Sequence, residues 1–521
     1  MYVWQKYPLV RLALPLVVGM VGANFCISWI DWNISVLFTV LCALAAMLVL
    51  VHFVVKDAWH DHLFGLLTIA FSFVLGATLF VHRYVQQEQC VPIENEWIEG
   101  VVADEPQEKE KTFAARVRLE NGLLLAYLAK DSLHSPALLH RGDRIAFSAQ
   151  NITPNSPRQH PQDSLSQVFA PYHRSLFFSG IAATCYVPSA SWCQQNSAME
   201  SSWIDGMTDL RQQIHTVYAE QDFDGDGGAL VEALTTGNRA GLSRQIRESY
   251  ARSGVAHLLA LSGYHLTVIL LLFNCLIHHF CLLRWRKVLA LMLIPLIWAF
   301  CIMAGMPPSL VRATTMCTIL QVALVAGKEY DMLNATALTA IVMLLWNPLQ
   351  LMNVGFQLSF ISVVGIGVFL PKLFVTNTNR SKMLKFCIDV LTVSLVCSLV
   401  SFPLVAYYFG HVPLLSVLTN LALSPLMMVL MLSVLAWWMF YGLGLTIPFL
   451  SGGITAVAMA MNAVTTWVAS LPFATFSYRP SEAEVALLYA ILFFIYRYWH
   501  TRSARMLQLF LCCIIALCLL A

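Results

Sequence analysis

Residues 253–266 read SGVAHLLALSGYHL, and this stretch, which we call the signature segment, continues directly into a further apolar run. It carries two histidines, two serines and two glycines. Polar groups inside a membrane are costly unless they face the interior of a helix bundle or a wet cavity. On a continuous helix His257, Leu261 and His265 step by four, so the two imidazoles share a broad face. Ser262 lies on the same side. These residues either join helices through hydrogen bonds or line a polar path between them.

The composition excludes an ordinary soluble protein. Of the 521 residues, 58% are hydrophobic and only 12% are charged, and the mean hydropathy is +0.67. A run of about 20 apolar residues is long enough to span a bilayer. We therefore predict a polytopic α-helical membrane protein of about 13 transmembrane helices with an inserted small soluble β-barrel. The predicted spans are residues 8–30, 34–55, 63–82, 255–283, 288–306, 309–326, 333–346, 354–371, 387–409, 414–445, 449–471, 483–496 and 506–521.

Basic residues indicate the orientation of these spans. Lys6 and Arg11 place the N-terminus in the cytoplasm, because loops on that side carry the excess of lysine and arginine. The basic clusters after the fourth, eighth and twelfth spans then fall on the same side. The predicted regions are three N-terminal helices over 1–85, a soluble extracytoplasmic domain over 86–225, the main transmembrane domain over 226–480 and C-terminal helices over 481–521.

Prolines and adjacent glycines predict interruptions within the apolar runs. Broken helices are tolerated at membrane depth where their backbone faces protein or water. The run 414–445 is too long for one simple span, so residues 414–425 are candidates for a re-entrant segment. The predicted interruptions are Met306-Pro307-Pro308, Ser424-Pro425 and Ser451-Gly452-Gly453.

Residues 86–225 differ from the rest of the chain, because they are polar and rich in turn residues. Alternating hydrophobic residues predict five strands, and Asn121-Gly122 predicts a hairpin between the second and the third. The pattern supports a small β-barrel or a sandwich, and it suits an OB-like barrel of five strands. The predicted strands are 97–103, 113–119, 123–129, 144–149 and 181–187.

Cysteines in this soluble region allow a disulfide bridge. Cys185 and Cys193 lie eight residues apart, and an oxidising compartment outside the cell membrane permits a bond between them. Cys90 is a competing partner. No C-x-x-C pair occurs in the sequence, so a zinc ribbon is excluded.

The segment from Asp222 to Gly227 reads DFDGDG, like the start of a calcium-binding EF-hand loop. Such a loop needs a bidentate glutamate at its twelfth position, where this chain has Ala233. We interpret the segment as a solvated loop in which Asp226 caps a helix over 228–236. We expect no bound metal and no cofactor.

The signature segment resembles that of the ComEC-type competence protein family, whose members carry single-stranded DNA across the cytoplasmic membrane during natural transformation. The motif is long and chemically unusual, and the resemblance covers about residues 60–480. It implies a membrane channel and not an enzyme, with an OB fold in the soluble domain. Further matching pieces are Thr236-Gly237-Asn238-Arg239, Pro308-Ser309-Leu310-Val311-Arg312-Ala313, Asn347-Pro348, Gly355-Phe356-Gln357-Leu358-Ser359-Phe360, Phe402-Pro403 and residues 420–425.

The resemblance, together with the polar residues of the apolar runs, implies a route for the strand. Arg239 and Arg312 would contact phosphates, and the neutral side chains of the route would offer hydrogen-bond donors. Affinity along the route must stay modest because a conducted polymer has to leave. Each residue also has the alternative role of hydrogen bonding between helices. The expected path residues are Arg239, His257, Ser262, His265, Arg312, Gln357, Ser359 and Asn420.

The soluble domain is a weaker candidate for DNA contact. Acidic residues outnumber basic ones by 19 to 10 across residues 86–226, whereas a surface that tracks phosphates is basic. A local strip of basic and aromatic residues remains a candidate, and the alternative is a folded cap that positions or regulates the pore. The strip consists of Arg116, Arg118, Tyr127 and Arg144.

Expected partners follow from the cargo and from motifs that the sequence lacks. Single-stranded DNA is the expected cargo and membrane lipid the surroundings. The chain ends at Ala521 in an apolar run and contains neither H-x-H-x-D-H nor G-x-x-x-x-G-K-[ST]. We therefore expect a separate nuclease, a cytoplasmic ATPase or strand-binding protein, and an extracytoplasmic DNA receptor.

Two other functions remain open at this point. A membrane hydrolase would use Ser262 with His265 or His257, or a metal held by the two imidazoles; a serine nucleophile needs its base within hydrogen-bond reach. The other rival is a transporter of a different anionic polymer or of a lipid intermediate.

Overall fold

The structure is a computed structural model. It describes residues 7–27, 33–54, 60–92, 96–104, 106–120, 122–130, 139, 142–148, 150–158, 164–195, 203–221, 223–280, 286–327, 331–373, 382–445 and 447–520. The chain forms two compact units. The first consists of Met1–Asp205 with Ala337–Gln357, and the second of Gly206–Thr336 with Leu358–Ala521.

Helices make up most of the chain, and each of the thirteen predicted spans overlaps at least one of them. The helices are α1 (Pro8–Cys26), α2 (Ile34–Val54), α3 (His60–Glu88), α4 (Ser164–Phe178), α5 (Trp203–Glu220), α6 (Gly225–Thr236), α7 (Arg244–Arg252), α8 (Ala256–Leu259), α9 (Gly263–Phe280), α10 (Arg286–Met303), α11 (Pro308–Val325), α12 (Met332–Trp346), α13 (Val354–Leu373), α14 (Lys382–Phe409), α15 (Ser416–Gly442), α16 (Pro448–Ser470), α17 (Glu482–Thr501) and α18 (Ala504–Leu520).

Within the described residues, eight helices are long and apolar enough to cross a membrane: α1, α2, α3, α11, α13, α14, α15 and α16. Helices α9, α10, α12 and α18 are apolar but shorter. Helix α17 has 20 residues and belongs to neither group. Length and composition thus confirm a multi-helix membrane architecture, and the full number of thirteen spans stays a prediction.

The first unit contains one β-sheet. Its strands are β1 (Trp97–Val102), β2 (Gln107–Glu108), β3 (Thr112–Arg118), β4 (Leu123–Ala129), β5 (Arg144–Ser148), β6 (Gln150–Pro154), β7 (Ile181–Val187) and β8 (Trp192–Gln195). The order is β6-β7-β4-β3-β1-β5-β8, with β2 on β3. Among the described strands, β4 and β7 are the one parallel pair.

The five strands predicted from alternation are confirmed as β1, β3, β4, β5 and β7. Asn121 lies outside the described residues, but the predicted hairpin is confirmed by the antiparallel pairing of Arg118 with Leu123. The predicted barrel is not closed, because β6 and β8 form the two edges of the sheet in the part of the chain that the structure describes. These short strands extend the sheet at both ends, and the alternation pattern missed them.

Two predicted interruptions are wrong, and one is confirmed. Helix α15 runs without a break through Pro425, so residues 414–425 do not form a separate re-entrant segment. Helix α16 likewise continues through Gly452 and Gly453. A proline inside a membrane helix is tolerated when neighbouring groups and local adjustments satisfy the freed backbone atoms. The turn before Pro308 does separate α10 from α11.

Two buried apolar clusters lie within the described residues of the second unit. The larger one joins α5 to α9 with α15 and α16, and the smaller one joins the start of α9 with α10 and α11. Strands β9 (His411–Pro413) and β10 (Thr475–Ser477) pair antiparallel. This pairing holds the turn between α14 and α15 at the same end of the unit as the turn between α16 and α17.

Candidate functional site

The signature segment is broken and is not the continuous helix that we predicted. A turn at Gly254, the four-residue helix α8 and the extended residue Ala260 separate α7 from α9. Gly254 has a φ of +81°, a left-handed conformation that glycine adopts without strain and that ends α7. Helix α9 begins only at Gly263. The predicted span 255–283 is therefore wrong at its start, and the two imidazoles do not share one helix.

Ser262 and His265 together cap the start of α9. The Ser262 Oγ atom accepts a hydrogen bond from the Tyr264 N–H at 3.3 Å. The His265 Nδ1 atom accepts one from the Ser262 N–H at 3.2 Å and lies 3.2 Å from the Ser262 Oγ atom. This arrangement is a capping box in which histidine occupies the position that usually holds glutamate or glutamine. The Ser-x-x-His spacing thus explains why a helix begins here.

The two predicted path histidines have different environments. His265 is 0% exposed, and its Nε2 atom has no hydrogen-bond partner among the described residues. His257 is exposed, and the two rings remain within range of a mutual electrostatic interaction. The residue His257 is therefore exposed at the surface of the structure, whereas His265 stabilises the helix start.

The signature segment contacts the start of α11, which carries the second matching motif. The Leu261 carbonyl accepts a hydrogen bond from the Ser309 Oγ atom at 2.8 Å. Leu261 and Leu310 belong to the same buried cluster. Arg312 follows Ser309 by three residues, about one helical turn, and is only 3% exposed. Two motifs that are 48 residues apart in the chain thus meet at a broken backbone.

A third motif, Thr236 to Arg239, reaches the same place. Gly237 has a φ of +78°, and a Cβ atom added there would lie 2.9 Å from the Leu261 Cδ1 atom. The Asn238 amide donates a hydrogen bond to the Glu232 carboxylate at 2.7 Å, and its oxygen accepts one from the Ala240 N–H. These contacts fix the loop that presents Arg239.

Arg239 lies in a recess that solvent can enter. Its side chain is exposed, yet burial by the surrounding protein lowers the pKa of the guanidinium, and the positive charge of Arg247 lowers that pKa further. Arg247 itself binds the Leu242 carbonyl through two nitrogens, at 3.0 and 2.7 Å. Two positive groups held this close together create a local preference for anions.

The remaining predicted path residues are less closely tied to this junction. The Gln357 amide donates to the Leu351 carbonyl at 3.0 Å, so it stabilises its own turn in the first unit. Ser359 is partly buried on α13. Asn420 is partly buried on α15, where its carbonyl accepts from the Ser424 hydroxyl at 2.6 Å.

The predicted strip of the soluble domain lies on one face of the sheet. Arg118 and Arg144 both pair with Val101, from opposite sides. Arg116 and Tyr127 point to the same face as Arg118, because side chains alternate along each strand. The three arginines are exposed. The Tyr127 hydroxyl lies 3.1 Å from that of Tyr172.

The predicted disulfide is not formed. Cys185 and Cys193 are both free thiols. Cys185 lies on β7 and Cys193 on β8, with four strands between them in the order of the sheet. Burial raises the pKa of the Cys185 thiol to about 12. Spacing in the sequence suggested a bridge, and the order of strands in the sheet prevents it.

Sequence reasoning missed the importance of Glu232 and Ser309. Glu232 is 9% exposed, and its carboxylate contacts both Asn238 and the His215 Nδ1 atom, the latter at 2.8 Å. A carboxylate inside the apolar stretch Ala229–Leu234 was the available signal, because buried charges are rare unless paired. Ser309 had no comparable signal, since its partner is a distant backbone carbonyl.

The geometry provides a capped helix start and does not resemble a catalytic centre. Ser262 and His265 are within hydrogen-bond reach, but their polar atoms are used in capping and His265 is fully buried. Across the described ranges, no group of three or more His, Cys, Asp or Glu residues could hold a metal ion.

Comparison with known proteins identifies the chain's relatives. A sequence model described as "Competence protein" matches residues 234–502, which include all three converging motifs. This chain belongs to the competence protein family. The matched region begins near the end of α6 and ends just after α17, so it excludes the eight-stranded sheet of the first unit.

One curated relative of the family is ComE operon protein 3 of Bacillus subtilis (strain 168). It is 31% identical to this chain over 202 residues. The match covers 38% of this chain and 25% of the relative, so most of the relative's length has no counterpart in the alignment. No solved structure matches this chain.

Proposed function

We propose that this protein is a channel that passes single-stranded DNA inward across the cytoplasmic membrane during natural transformation. The observation that carries the proposal is the convergence of three motifs at Leu261, within the part of the chain that the family model matches. A broken backbone inside an apolar bundle is tolerated where it faces protein or lines a cavity. A selective path through a membrane commonly has such a feature.

Arg239 is the proposed first contact for the strand. Its exposed guanidinium, beside Arg247, would attract phosphates by Coulomb attraction before any base is read. Arg312 is 3% exposed and lies about one helical turn beyond Ser309. Its guanidinium would place a second positive charge along the proposed route. His257 and the Ser262 hydroxyl would add neutral contacts, which keep affinity modest enough for release.

The soluble domain is proposed to hold DNA before it reaches the helices. The arginine row supports this proposal, because Arg118 and Arg144 lie on either side of Val101 with Arg116 nearby. Its partners would be an extracytoplasmic receptor, a separate nuclease and a cytoplasmic ATPase or strand-binding protein. We propose thirteen spans with the N-terminus in the cytoplasm.

The test compares uptake of labelled DNA into the cytoplasm by cells with Arg239→Glu, Arg239→Lys and Arg244→Gln. Reversing the charge at Arg239 replaces attraction with repulsion and should lower uptake about tenfold or more, since each phosphate contact contributes strongly to affinity. Arg239→Lys keeps the charge and should retain most uptake. Arg244 is already paired with Glu248 at 2.7 Å, so Arg244→Gln is the matched surface control.

Deletion of the gene tests the assignment as a whole. Undiminished delivery of labelled DNA to the cytoplasm of the deletion strain contradicts the channel. Loss of transport of another anionic polymer or of a lipid intermediate, with DNA uptake intact, would favour the rival transporter.

A further inference from the structure

Glu232 is a buried carboxylate that bonds to two parts of the chain outside its own helix. It lies on α6, and its side chain is 12% exposed. Its Oε1 atom accepts a hydrogen bond from the His215 Nδ1–H on α5 at 2.8 Å and another from the Asn238 amide at 2.7 Å. Burial of a charge is costly unless hydrogen bonds replace its water. These two bonds provide that replacement, and they tie α5 and the loop after α6 to a single oxygen atom.

The orientation of the Asn238 amide is fixed from both sides. Its nitrogen donates to Glu232, and its oxygen accepts from the Ala240 N–H at 3.1 Å. A reversed amide would set its oxygen against the carboxylate and its nitrogen against the Ala240 N–H, so both partners require the same orientation. The backbone N–H of Asn238 also donates to the Thr236 hydroxyl at 3.2 Å. Asn238 thus holds the peptide bond that joins Arg239 to Ala240.

The backbone of Arg239 is held on its other side by the start of α7. Its carbonyl accepts a hydrogen bond from the Leu242 N–H at 3.2 Å, and the Leu242 carbonyl accepts two from Arg247. Among the described residues, no hydrogen bond or ion pair engages the exposed guanidinium of Arg239. The chain that carries this charge is therefore restrained, while the charge itself stays available to a ligand.

Restraint of the loop favours the binding of an anion. A free loop has to be ordered when a phosphate binds, and ordering even one long side chain lowers affinity by about two- to tenfold. Glu232 imposes this order before any ligand arrives. Both of its bonds meet at Oε1, so a glutamine at this position can accept the same two bonds without the charge.

We propose that Glu232 positions Arg239 for phosphate binding by holding Asn238, and that His215 keeps the Glu232 carboxylate in the orientation that does so. This rests on the proposed function, because the phosphates are those of the DNA strand. Glu232 and His215 are positioning residues and do not themselves contact the strand. A residue from the stretch 86–225, which the sequence assigned to the soluble domain, thereby acts on a loop of the transmembrane domain.

Trypsin reports the restraint directly, because it cleaves the Arg239–Ala240 bond that Asn238 holds. The full-length protein in detergent is digested briefly, and the new terminus at Ala240 is quantified by mass spectrometry against cleavage after the exposed Lys109. Cleavage of a native loop follows the population of its open form. Glu232→Leu removes both bonds and should speed this cleavage about tenfold or more, whereas Glu232→Gln keeps the acceptor and should stay within about twofold of the native rate.

Two substitutions of His215 give a matched comparison. An asparagine can place its amide nitrogen where the Nδ1 atom lies, whereas glutamine is one methylene longer and reaches the Nε2 position. His215→Asn should therefore keep the slow cleavage at Arg239, and His215→Gln should speed it about threefold or more. The His215 side chain is 48% exposed, so both variants should fold even if Glu232→Leu does not. Equally slow cleavage in His215→Gln and in the native protein overturns the role of His215.

A charge swap separates the contact from the charge. Asn238→Asp sets a second carboxylate against that of Glu232, and two like charges at this distance repel, so the loop should open. Adding Glu232→Gln restores a donor opposite an acceptor, and the double variant should resist trypsin again. A double variant that stays sensitive overturns the contact as the source of restraint. Tyr489→Phe, which loses one hydrogen bond between α17 and α14, is the control for lost stability alone and should leave the Ala240 terminus unchanged.

Uptake of labelled DNA then connects the restraint to Arg239. At equal amounts of protein in the membrane, Glu232→Leu and His215→Gln should lower uptake about two- to tenfold, while Glu232→Gln and His215→Asn should retain it. In an Arg239→Gln background, Glu232→Leu should lower uptake no further, because no guanidinium remains to be positioned. A further loss in that background overturns the positioning role.

The two proposals fail separately. Where Arg239→Glu abolishes uptake, a Glu232→Leu protein with a loosened loop and full uptake overturns only the positioning role. Where Arg239→Glu leaves uptake unchanged, the proposed contact with DNA fails, and the trypsin digestion, which needs no DNA, still decides whether Glu232 holds the loop.

Discussion

At the scale of single residues, His265 has a role that its chemistry alone does not reveal. An imidazole near a serine suggests catalysis, but here Nδ1 accepts the N–H of Ser262 and the ring is fully buried. A capping box works equally well with glutamine at this position. The residue is therefore better described by the hydrogen bond that it accepts than by its capacity to titrate.

Substitution of His265 distinguishes capping from chemistry. His265→Gln keeps an acceptor for the Ser262 N–H and should preserve thermal unfolding in detergent and most transformation. His265→Leu leaves that buried donor without an acceptor and should destabilise the fold by about 1–3 kcal/mol. Ser262→Ala removes the other half of the box and should cost about 1 kcal/mol. A His265→Gln protein that melts normally yet abolishes transformation would show that the imidazole itself is required.

The two cysteines of the sheet give a second prediction at this scale. Because burial raises the pKa of Cys185 to about 12, its thiol stays protonated at pH 8, and its thiolate becomes a large fraction only as the pH approaches 12. The exposed Cys193 should therefore react with iodoacetamide in the folded protein, and Cys185 only after denaturation. The measurement is peptide mass spectrometry under non-reducing conditions. Recovery of a peptide pair joined through Cys185 and Cys193 contradicts the structure.

At the scale of elements, the turn at Gly254 decides where the signature segment lies. Its φ of +81° is left-handed, and an added Cβ atom would come 2.5 Å from the Ser416 Cβ atom and 2.8 Å from two atoms of Pro413. These contacts seat the turn on the start of α15. Any side chain at position 254 must therefore separate α7 from α15.

Gly254→Ala should be more destabilising than Gly444→Ala, which serves as its matched control. Gly444 has a similar φ of +76° but has no atom within 4 Å of an added Cβ. Both variants carry the conformational cost of about 1–2 kcal/mol. Only Gly254→Ala adds overpacking, of about 1–3 kcal/mol. Thermal unfolding of both proteins in detergent measures the difference, and equal melting temperatures would refute the packing argument.

The elements also show which parts of the fold a sequence can reveal. Apolar length predicted a helix in each of the thirteen stretches, although the stretch 255–283 begins too early, and alternation located β1, β3, β4, β5 and β7. The break at Ala260 was not predictable from hydropathy. The Leu261 carbonyl beside it is satisfied by the hydroxyl of Ser309, which lies 48 residues away in the chain. For the site, the sequence located Arg239, His257 and Arg312 in the motifs that converge, but it assigned His265 to the path.

The packing of α5 on α15 was hidden for the opposite reason. A polar amphipathic helix such as α5 resembles one from a soluble domain, and nothing local to it reports Trp438, which bonds Tyr218 from 220 residues later in the chain. The role of Glu232 was missed for the same reason, because its partners His215 and Asn238 come from two different parts of the chain. Local patterns identify elements well, and they identify long-range polar contacts poorly.

At the scale of the whole molecule, helix α17 decides how often the chain crosses the membrane. Its composition places it outside the eight apolar helices, and a capping box formed by Ser481 and Glu484 fixes its start. Its contacts nevertheless run along α14, which is long and apolar enough to cross a membrane. The Tyr407 hydroxyl on α14 donates to Glu482 at 3.0 Å, and the Tyr489 hydroxyl donates to the Val400 carbonyl at 3.2 Å.

From the first contact to the second, the chain position rises by seven residues on α17 and falls by seven on α14. Helix α17 therefore runs antiparallel along α14. We therefore expect α17 to cross the membrane. Strands β9 and β10 hold the start of α17 at the same end as the turn before α15, and basic residues after α17 predict the cytoplasm at its other end. A phosphatase fused after Pro480 should be active outside, and a fluorescent protein fused after Arg502 should fluoresce inside. If both fusions report the same side, α17 lies on the membrane surface, and the chain has twelve spans or fewer.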